Sequence, residues 1–249
     1  GTLTLNTATG AYTYTKNAAA IEALDSSDPA AGIDTFTFTV SDGDGATVNQ
    51  TYTVTVTGAD DAPTLAAVTA GTIAENDQFN TTTDVALTGT LAGSDVDVET
   101  LTYGIDGGTV ADGTATKVGT YGTLTLNTAT GAYTYTKNAA AIEALDSSDP
   151  AAGIDTFTFT VSDGDGATVN QTYTVTVTGA DDAPTLAAVT AGTIAENDQF
   201  NTTTDVALTG TLAGSDVDVE TLTYGIDGGT VADGTATKVG TYGTLTLNT

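Results

Sequence analysis

The chain contains no histidine, cysteine, methionine, tryptophan or arginine, and its 249 residues include only four lysines and four prolines. Without imidazole or thiol it lacks the commonest general base, the strongest protein nucleophile and the ligands that soft metals select. Catalysis is therefore not expected. No disulfide can staple the fold, so rigidity outside a cell would need another source. Thirty-two Asp and Glu residues against four Lys give a formal net charge of −28. Such a surface repels phosphate, which excludes nucleic acid as a partner. No apolar run approaches the roughly 20 residues that cross a bilayer, so no membrane insertion is expected. Gly1 does not open a signal peptide, and the sequence reads as a soluble window of something longer.

What the chain does have is repetition. Gly1, Gly122 and Gly243 each begin the words "GTLTLNT", so the period is 121 residues and the chain is two periods plus seven residues. "VSDGDGATVNQTYTVTVTGADDAPTL" starts at Val40 and returns unchanged at Val161. A period of 121 is too long for a solenoid turn or a propeller blade and has the size of a whole domain.

Within each period, apolar residues alternate with threonine. "TFTFTV" (35–40), "QTYTVTVTG" (50–58), "GTLTLNT", "AYTYT" (11–15) and "VALTGTL" (85–91) all follow this pattern. A side-chain period of two is the strand signature, with Phe36, Phe38, Val40, Tyr52, Val54 and Val56 turned inward and β-branched Thr on the wet face. Stretches rich in Gly and Asp, "SDGDGA" from Ser41 and "DGGTVADGT" from Asp106, read as turns. In "NAAAIEALDSSDP" (17–29) Asn17 can cap a short helix with Ile21 and Leu24 on one face, ended by Pro29. The expected fold is all-β: tandem antiparallel β-sandwiches of about seven strands with a short strap helix, joined end to end as a rod.

The most linker-like stretch is "TGADDAPTL", where a long strand ends at Gly58 and Pro63 launches the next. Residues 59–179 then form a complete repeat, 1–58 the C-terminal half of a preceding one and 180–249 the N-terminal part of a following one. The two partial repeats together hold every strand of a third domain. Head-to-tail complementation between chains is therefore an expectation of the same reading.

The acids are clustered. Asp95, Asp97 and Glu99 lie two apart, as do Asp163 and Asp165, and Asp60 and Asp61 stand in the linker. Loop carboxylates two residues apart can turn toward one point, which a hard cation with six to eight oxygen ligands requires. In an antiparallel sandwich the "SDGDG" hairpin before the last strand lies at the domain's N-terminal tip. The "AGSDVDVETLTYGI" loop reaches the same tip, beside the linker. For Asp165, Asp106 or Asp112 alone, turn chemistry is the better reading, and Asp34 and Asp84 at strand starts suit caps. For the clustered set, like charges cost several kcal/mol unless a cation neutralises them, and nothing basic is at hand. The set therefore points to Ca²⁺. "DGDG" lacks the remaining ligands of an EF-hand loop.

At these residues the chain resembles the VCBS or cadherin-like repeats of giant bacterial adhesins of the repeats-in-toxin type. "TFTFTVSDGDGATVNQTYTVTVTGADDAP" resembles the end of such a repeat, "AGSDVDVETLTYGI" the cadherin Asp-x-Asp segment, and "TIAEND" the segment with a calcium-binding Glu. The resemblance implies Ca²⁺ between consecutive domains. The junction before the central repeat would use Asp25, Asp60, Asp61, Asp95, Asp97 and Asp163. The one after it would use Glu75, Asp146, Asp181, Asp182, Asp216 and Asp218, with Glu196 repeating Glu75. "ALDSSDP" lacks the cadherin Asp-Arg-Glu, and "GADDAP" has fewer acids than the cadherin linker.

The function so implied is a stalk: extender repeats of a secreted adhesin at a bacterial cell surface, stiffened by Ca²⁺, with identical neighbouring repeats as partners. Each period carries 16 acids and two lysines, a net −14, and would repel its neighbours without the ion. Identical copies suit a spacer, in which every junction needs the same ligands. Other classes remain open: a sugar-binding or surface-binding sandwich with Thr arrays, a self-associating fibre, or a carboxylate-pair glycosidase, against which the identical copies argue.

Overall fold

The computed structural model describes residues 1–26, 32–77, 80–97, 99–147, 153–198, 201–218 and 220–249, with no account of the side chains of 76, 77, 80–83, 197, 198 and 201–204. Asp28, Pro29 and their copies Asp149 and Pro150 lie outside the described residues, as does the Asp77 side chain. By contact density the chain forms two compact units. One comprises 1–72, 85–137 and 155–176, the other 73–84, 138–154 and 177–249. Each unit contains one "GADDAP" linker.

The fold is all-β, as the alternation requires. Two five-stranded antiparallel sheets form on the central repeat. One runs Thr109–Ala111, Thr114–Val118, Gly122–Asn127, Ala132–Lys137, Thr88–Thr90, all within the first unit. In the other, Thr102–Ile105 pairs with Phe159–Ser162, the end of the strand Ile154–Ser162. The inward set is the one that the period of two selects. Leu124, Leu126, Tyr133, Tyr135, Phe157, Phe159, Val161, Tyr173 and Val175 are all buried in the first unit. Aromatic rings bridge the sheets: Tyr133 lies 5.0 Å from Phe159 and 5.4 Å from Tyr173, and Tyr135 lies 6.0 Å from Phe157. On the outer face Thr109, Thr116, Thr125, Thr134 and Thr88 pair successively into one row of threonines across five strands.

A buried carboxylate locks the first unit. Asp155, at the start of its strand, accepts the N–H of Thr120 (2.8 Å), the N–H of Tyr121 (3.0 Å) and the Tyr135 hydroxyl (2.7 Å). Burial and the neighbouring Asp155 carboxylate both push the Tyr135 hydroxyl pKa upward, so it stays a donor.

Two expectations need correction. "VALTGTL" is not one strand: Val85 ends the preceding strand, Ala86 takes a left-handed φ of 52°, and pairing resumes over Thr88–Thr90. The Tyr173 hydroxyl donates to the Ala86 carbonyl at 2.8 Å and holds the chain at that corner. "DGGTVADGT" is not a simple turn either, since it contains the strand Thr109–Ala111, closed by a turn with Asp112 at φ 49°. The strap helix is present as Ala18–Glu22, where the Asn17 side chain accepts from the Ala20 N–H, and again as Ala139–Ile142.

Identical sequence does not give identical structure. "TYGI" is a strand at Thr102–Ile105, paired with Phe159–Ser162, but residues 223–226 are not a strand. The same holds for Thr88–Thr90, paired with Ala132–Thr134, against residues 209–211. Strand propensity needs a neighbouring strand to act on.

Candidate metal centres

The final strand of each repeat stops where it meets the loop after the strap helix. A Cβ on Gly58 would lie 1.9 Å from the Leu24 carbonyl oxygen, and one on Gly179 the same distance from that of Leu145. Only glycine permits this approach, and it brings each linker against the "ALDSS" loop.

In the first unit this delivers two groups of acids. Asp25, Asp60, Glu99 and Asp165 each offer a carboxylate oxygen within 4.8 Å of the others, and so do Asp95, Glu99 and Asp163. Glu99 belongs to both. In the second unit the corresponding groups are Asp146, Asp181 and Glu220, and Glu75, Glu143 and Asp182.

The Asp-x-Asp loops explain how turn chemistry and ligand geometry coexist. Asp95 accepts the Asp97 N–H on Oδ1 at 2.8 Å, Asp163 accepts the Asp165 N–H on Oδ1 at 2.9 Å, and Asp216 accepts that of Asp218 on Oδ1 at 3.0 Å. One oxygen folds the loop. In each case the other, Oδ2, is buried without a hydrogen-bond partner. Asp97 Oδ2 accepts the N–H of Asp61, and Asp218 Oδ2 that of Asp182, both at 2.8 Å, while Asp97 Oδ1 and Asp218 Oδ1 are buried and unpartnered. Glu75 accepts the Ala180 N–H on Oε2 at 3.2 Å and leaves Oε1 in the same condition, as Glu99 does Oε2.

Burial and like charge weigh on these groups. Burial, and then the facing Glu143 and Asp182, push Glu75 up to about 7, although the Ala180 N–H acts in the opposite sense. Burial first, then Asp165, raises Glu99; Asp60 is raised by burial and then by Asp163 and Asp165. Glu220 is raised by burial and by Asp146 and Asp181. Two of the four lysines are engaged elsewhere: Lys117 and Lys238 each donate to a carbonyl, those of Asp106 and Asp227.

Such orphaned anionic oxygens, in groups drawn from separate chain segments, fit a hard divalent cation with oxygen ligands such as Ca²⁺. Of the residues expected at the first junction, Asp25, Asp60, Asp95 and Asp163 are brought into the groups; Asp97 is in neither, and its Oδ2 accepts the Asp61 N–H instead. The Asp61 side chain is in neither group; it is its N–H that takes part. At the second junction Glu75, Asp146, Asp181 and Asp182 are grouped, with Asp218 bound to Asp182 and Asp216 folding the loop. Glu196 stands exposed on the strand Thr193–Asp198, outside these groups.

Four grouped residues stand outside the ligand sets that the resemblance implies. Glu99 is among the clustered acids of the sequence, and Glu220 is its copy; Asp165 reads there as turn chemistry, and Glu143 has no reading there.

Residues 60–179 match the model of the bacterial cadherin-like domain, and residues 1–55 match that of a bacterial Ig domain. No curated protein matches the chain. Among solved structures, the extracellular cadherin domains 3–6 of protocadherin gamma B2 match at 15% identity and a TM-score of 0.33, covering 66% of this chain and 37% of that one. The cis-dimer structure of protocadherin gammaB7 EC3–6 matches at 18% and 0.34, covering 62% and 35%. Drosophila N-cadherin EC1–3 matches at 16% and 0.30, covering 55% and 41%. The chain thus spans well under half the length of these three. Residues 60–179 are similar to a bacterial cadherin-like domain and residues 1–55 to a bacterial Ig domain.

Proposed function

We propose that the chain is a length of stalk: Ca²⁺-stiffened extender repeats of a secreted bacterial cell-surface adhesin of the repeats-in-toxin type, projecting a distal adhesive region. The repeat borders would lie at residues 59 and 179. The observation that carries this reading is that Asp95, Glu99 and Asp163, each with a buried, unpartnered carboxylate oxygen, offer oxygens within 4.8 Å of one another, as Glu75 does with Glu143 and Asp182, while Asp97 and Asp218, with an oxygen in the same condition, hold the linker N–H groups of Asp61 and Asp182.

The ligands would be Asp25, Asp60, Asp95, Asp97, Glu99, Asp163 and Asp165 at the first junction, with the Asp61 backbone pinned by Asp97. At the second they would be Glu75, Glu143, Asp146, Asp181, Asp182, Asp216, Asp218 and Glu220. Bound there, the ion would supply positive charge that neutralises acids from both sides of a linker. Because the donors come from separate segments, binding energy opposes any motion that parts them. The chain's own contribution is orientation: the Asx turns fix one oxygen of each first aspartate, and the glycine contacts fix the linker. Among the described residues no helix is long and apolar enough to cross a membrane.

Isothermal titration calorimetry of Ca²⁺ into chelator-treated protein tests this reading. Saturable binding that Glu99→Gln weakens at the first junction and leaves intact at the second supports it. Absence of binding at millimolar Ca²⁺ rejects it.

A further inference from the structure

We infer that Gln171 is a positioning residue for the acidic groups of the first junction. Its side-chain amide holds the strand that follows the linker, and so sets where Asp60 and the Asp61 backbone stand. This rests on the stalk reading and adds to it a residue that is not itself a ligand.

Gln171 breaks a pattern. The strand Thr168–Thr178 turns alternate side chains inward, and Tyr173 and Val175 on that face are fully buried. Gln171, two residues before Tyr173, shares the face, where a polar group costs free energy unless it is bonded. Its Nε2 donates to the Leu65 carbonyl at 3.1 Å, across 106 residues of sequence.

The strand that it reaches is short and paired on one side. Among the described residues Thr64–Leu65 has a single strand neighbour, Gly93–Ser94, with Thr64 against Ser94 and Leu65 against Gly93. The Ala66 N–H continues the ladder to the Ala92 carbonyl at 3.0 Å. Successive residues of an antiparallel ladder bond to opposite sides, so with Ala66 facing Ala92 the Leu65 carbonyl points away from Gly93. On that open side Gln171 takes the place of a neighbouring strand.

The clasp ties together three segments that carry acids. Asp163 and Asp165 stand in the loop that opens into Thr168–Thr178, Asp95 follows Ser94 directly, and Asp60 and Asp61 lie just before Pro63. Gln171 joins the first segment to the linker strand. The pairing of Thr64 with Ser94, backed by a 2.8 Å contact between their hydroxyls, joins that strand to the Asp95 loop. The linker is thus fastened twice, by the Asp61 N–H on Asp97 and by the Leu65 carbonyl on Gln171. Between the two stand Ala62, Pro63 and Thr64, and Pro63 is fully buried with its φ fixed by its ring. Releasing one fastening returns freedom to Asp60 and Asp61, which the ion must then remove on binding. Groups that orient ligands in this way tune metal affinity without touching the metal.

Isothermal titration calorimetry of Ca²⁺ into the chelator-treated chain tests the inference with Gln171→Met, which keeps the length of the side chain and removes its donor. Titrations are run at a temperature where circular dichroism shows the variant folded. Affinity should fall by at least about tenfold in the class of site that Glu99→Gln weakens, and stay unchanged in the other. The rise in melting temperature on adding Ca²⁺ should shrink. Tyr135→Phe, which removes a bond to Asp155 outside the acidic groups, should lower melting equally in chelator and in Ca²⁺ and leave affinity alone. Thr64→Val removes the hydroxyl contact to Ser94 at an exposed position and should weaken the same class of site; it decides the matter if Gln171→Met does not fold. Wild-type affinity in the deciding variant overturns the inference and leaves Gln171 a stabiliser of the fold alone. So does an equal loss in both classes of site, or in Tyr135→Phe. A wild-type chain that binds no Ca²⁺ rejects the stalk reading, and this inference with it; wild-type binding that Gln171→Met leaves unchanged rejects this inference alone.

Discussion

The N–H of Asp182 donates to Oδ2 of Asp218 at 2.8 Å, and one period earlier the N–H of Asp61 donates to Oδ2 of Asp97 at the same distance. A linker residue is thus held by the second aspartate of the following repeat's Asp-x-Asp loop. The carboxylate has two duties, which two substitutions separate. Asp218→Asn keeps an acceptor for Asp182 and removes the charge, so melting in chelator should change little while the stabilisation by Ca²⁺ falls. Asp218→Ala removes both, and should cost a further 1–3 kcal/mol or about that in chelator. Differential scanning calorimetry with and without Ca²⁺ reads the difference.

Glu99 stands in two groups of acids, and its carboxyl is raised by burial and by Asp165, Asp25 and Asp60. Glu99→Gln removes one charge from both groups. The chelator-treated protein should melt higher than wild type, and Ca²⁺ affinity at that junction should fall by at least about tenfold. A variant that melts lower in chelator would contradict the account of repulsion.

The pH dependence follows from Glu75. Its folded pKa of about 7 lies above the ordinary 4.5, so the folded state binds the proton more tightly than the unfolded one. Without metal, this contribution to stability is fully present below about pH 4.5 and is lost as pH rises through about 7. Melting temperature in chelator should therefore fall over that window at this site. In Ca²⁺ the trend should reverse, because the ion needs the carboxylate ionised. Glu75→Gln should flatten both slopes.

Asp155 provides the contrast. It is buried with three donors and lies in none of the acidic groups, so Asp155→Ala should cost about 3–5 kcal/mol whether or not Ca²⁺ is present. A loss that Ca²⁺ restored would show that Asp155 has been misread.

Gly179→Ala changes no charge, yet its Cβ would meet the Leu145 carbonyl at 1.9 Å. The linker must move away from the loop that carries Asp146. Calorimetry should show Ca²⁺ binding weakened at the second junction and unchanged at the first.

Strand alternation was readable because Thr and apolar residues obey a period of two over long runs, and Phe157, Phe159, Val161, Tyr173 and Val175 are buried as that period demands. The corner at Ala86 was not, because alanine gives no local sign of a left-handed φ; the Tyr173 hydroxyl, 87 residues away, holds it. Nor could propensity show that "TYGI" is a strand in one copy and not in the other, since the pairing strand decides. At the candidate centres, Asp95, Asp97 and Asp163 were legible from their spacing. Asp165 was not, because a DG pair suits a turn whether or not its side chain also reaches a cluster, and Glu143 joins only through the packing of the strap helix.

The central claim is that calcium fixes the angle between consecutive repeats. Small-angle X-ray scattering on one sample, first in excess EDTA and then in millimolar Ca²⁺, tests it most directly, at a concentration where sedimentation shows the same mass in both. The account predicts a longer, stiffer particle in Ca²⁺ with a higher melting temperature, and loss of both changes in a chain carrying Asp97→Asn and Asp218→Asn. Identical scattering profiles and melting curves in the two buffers would contradict it and reduce the acidic groups to solvated surface.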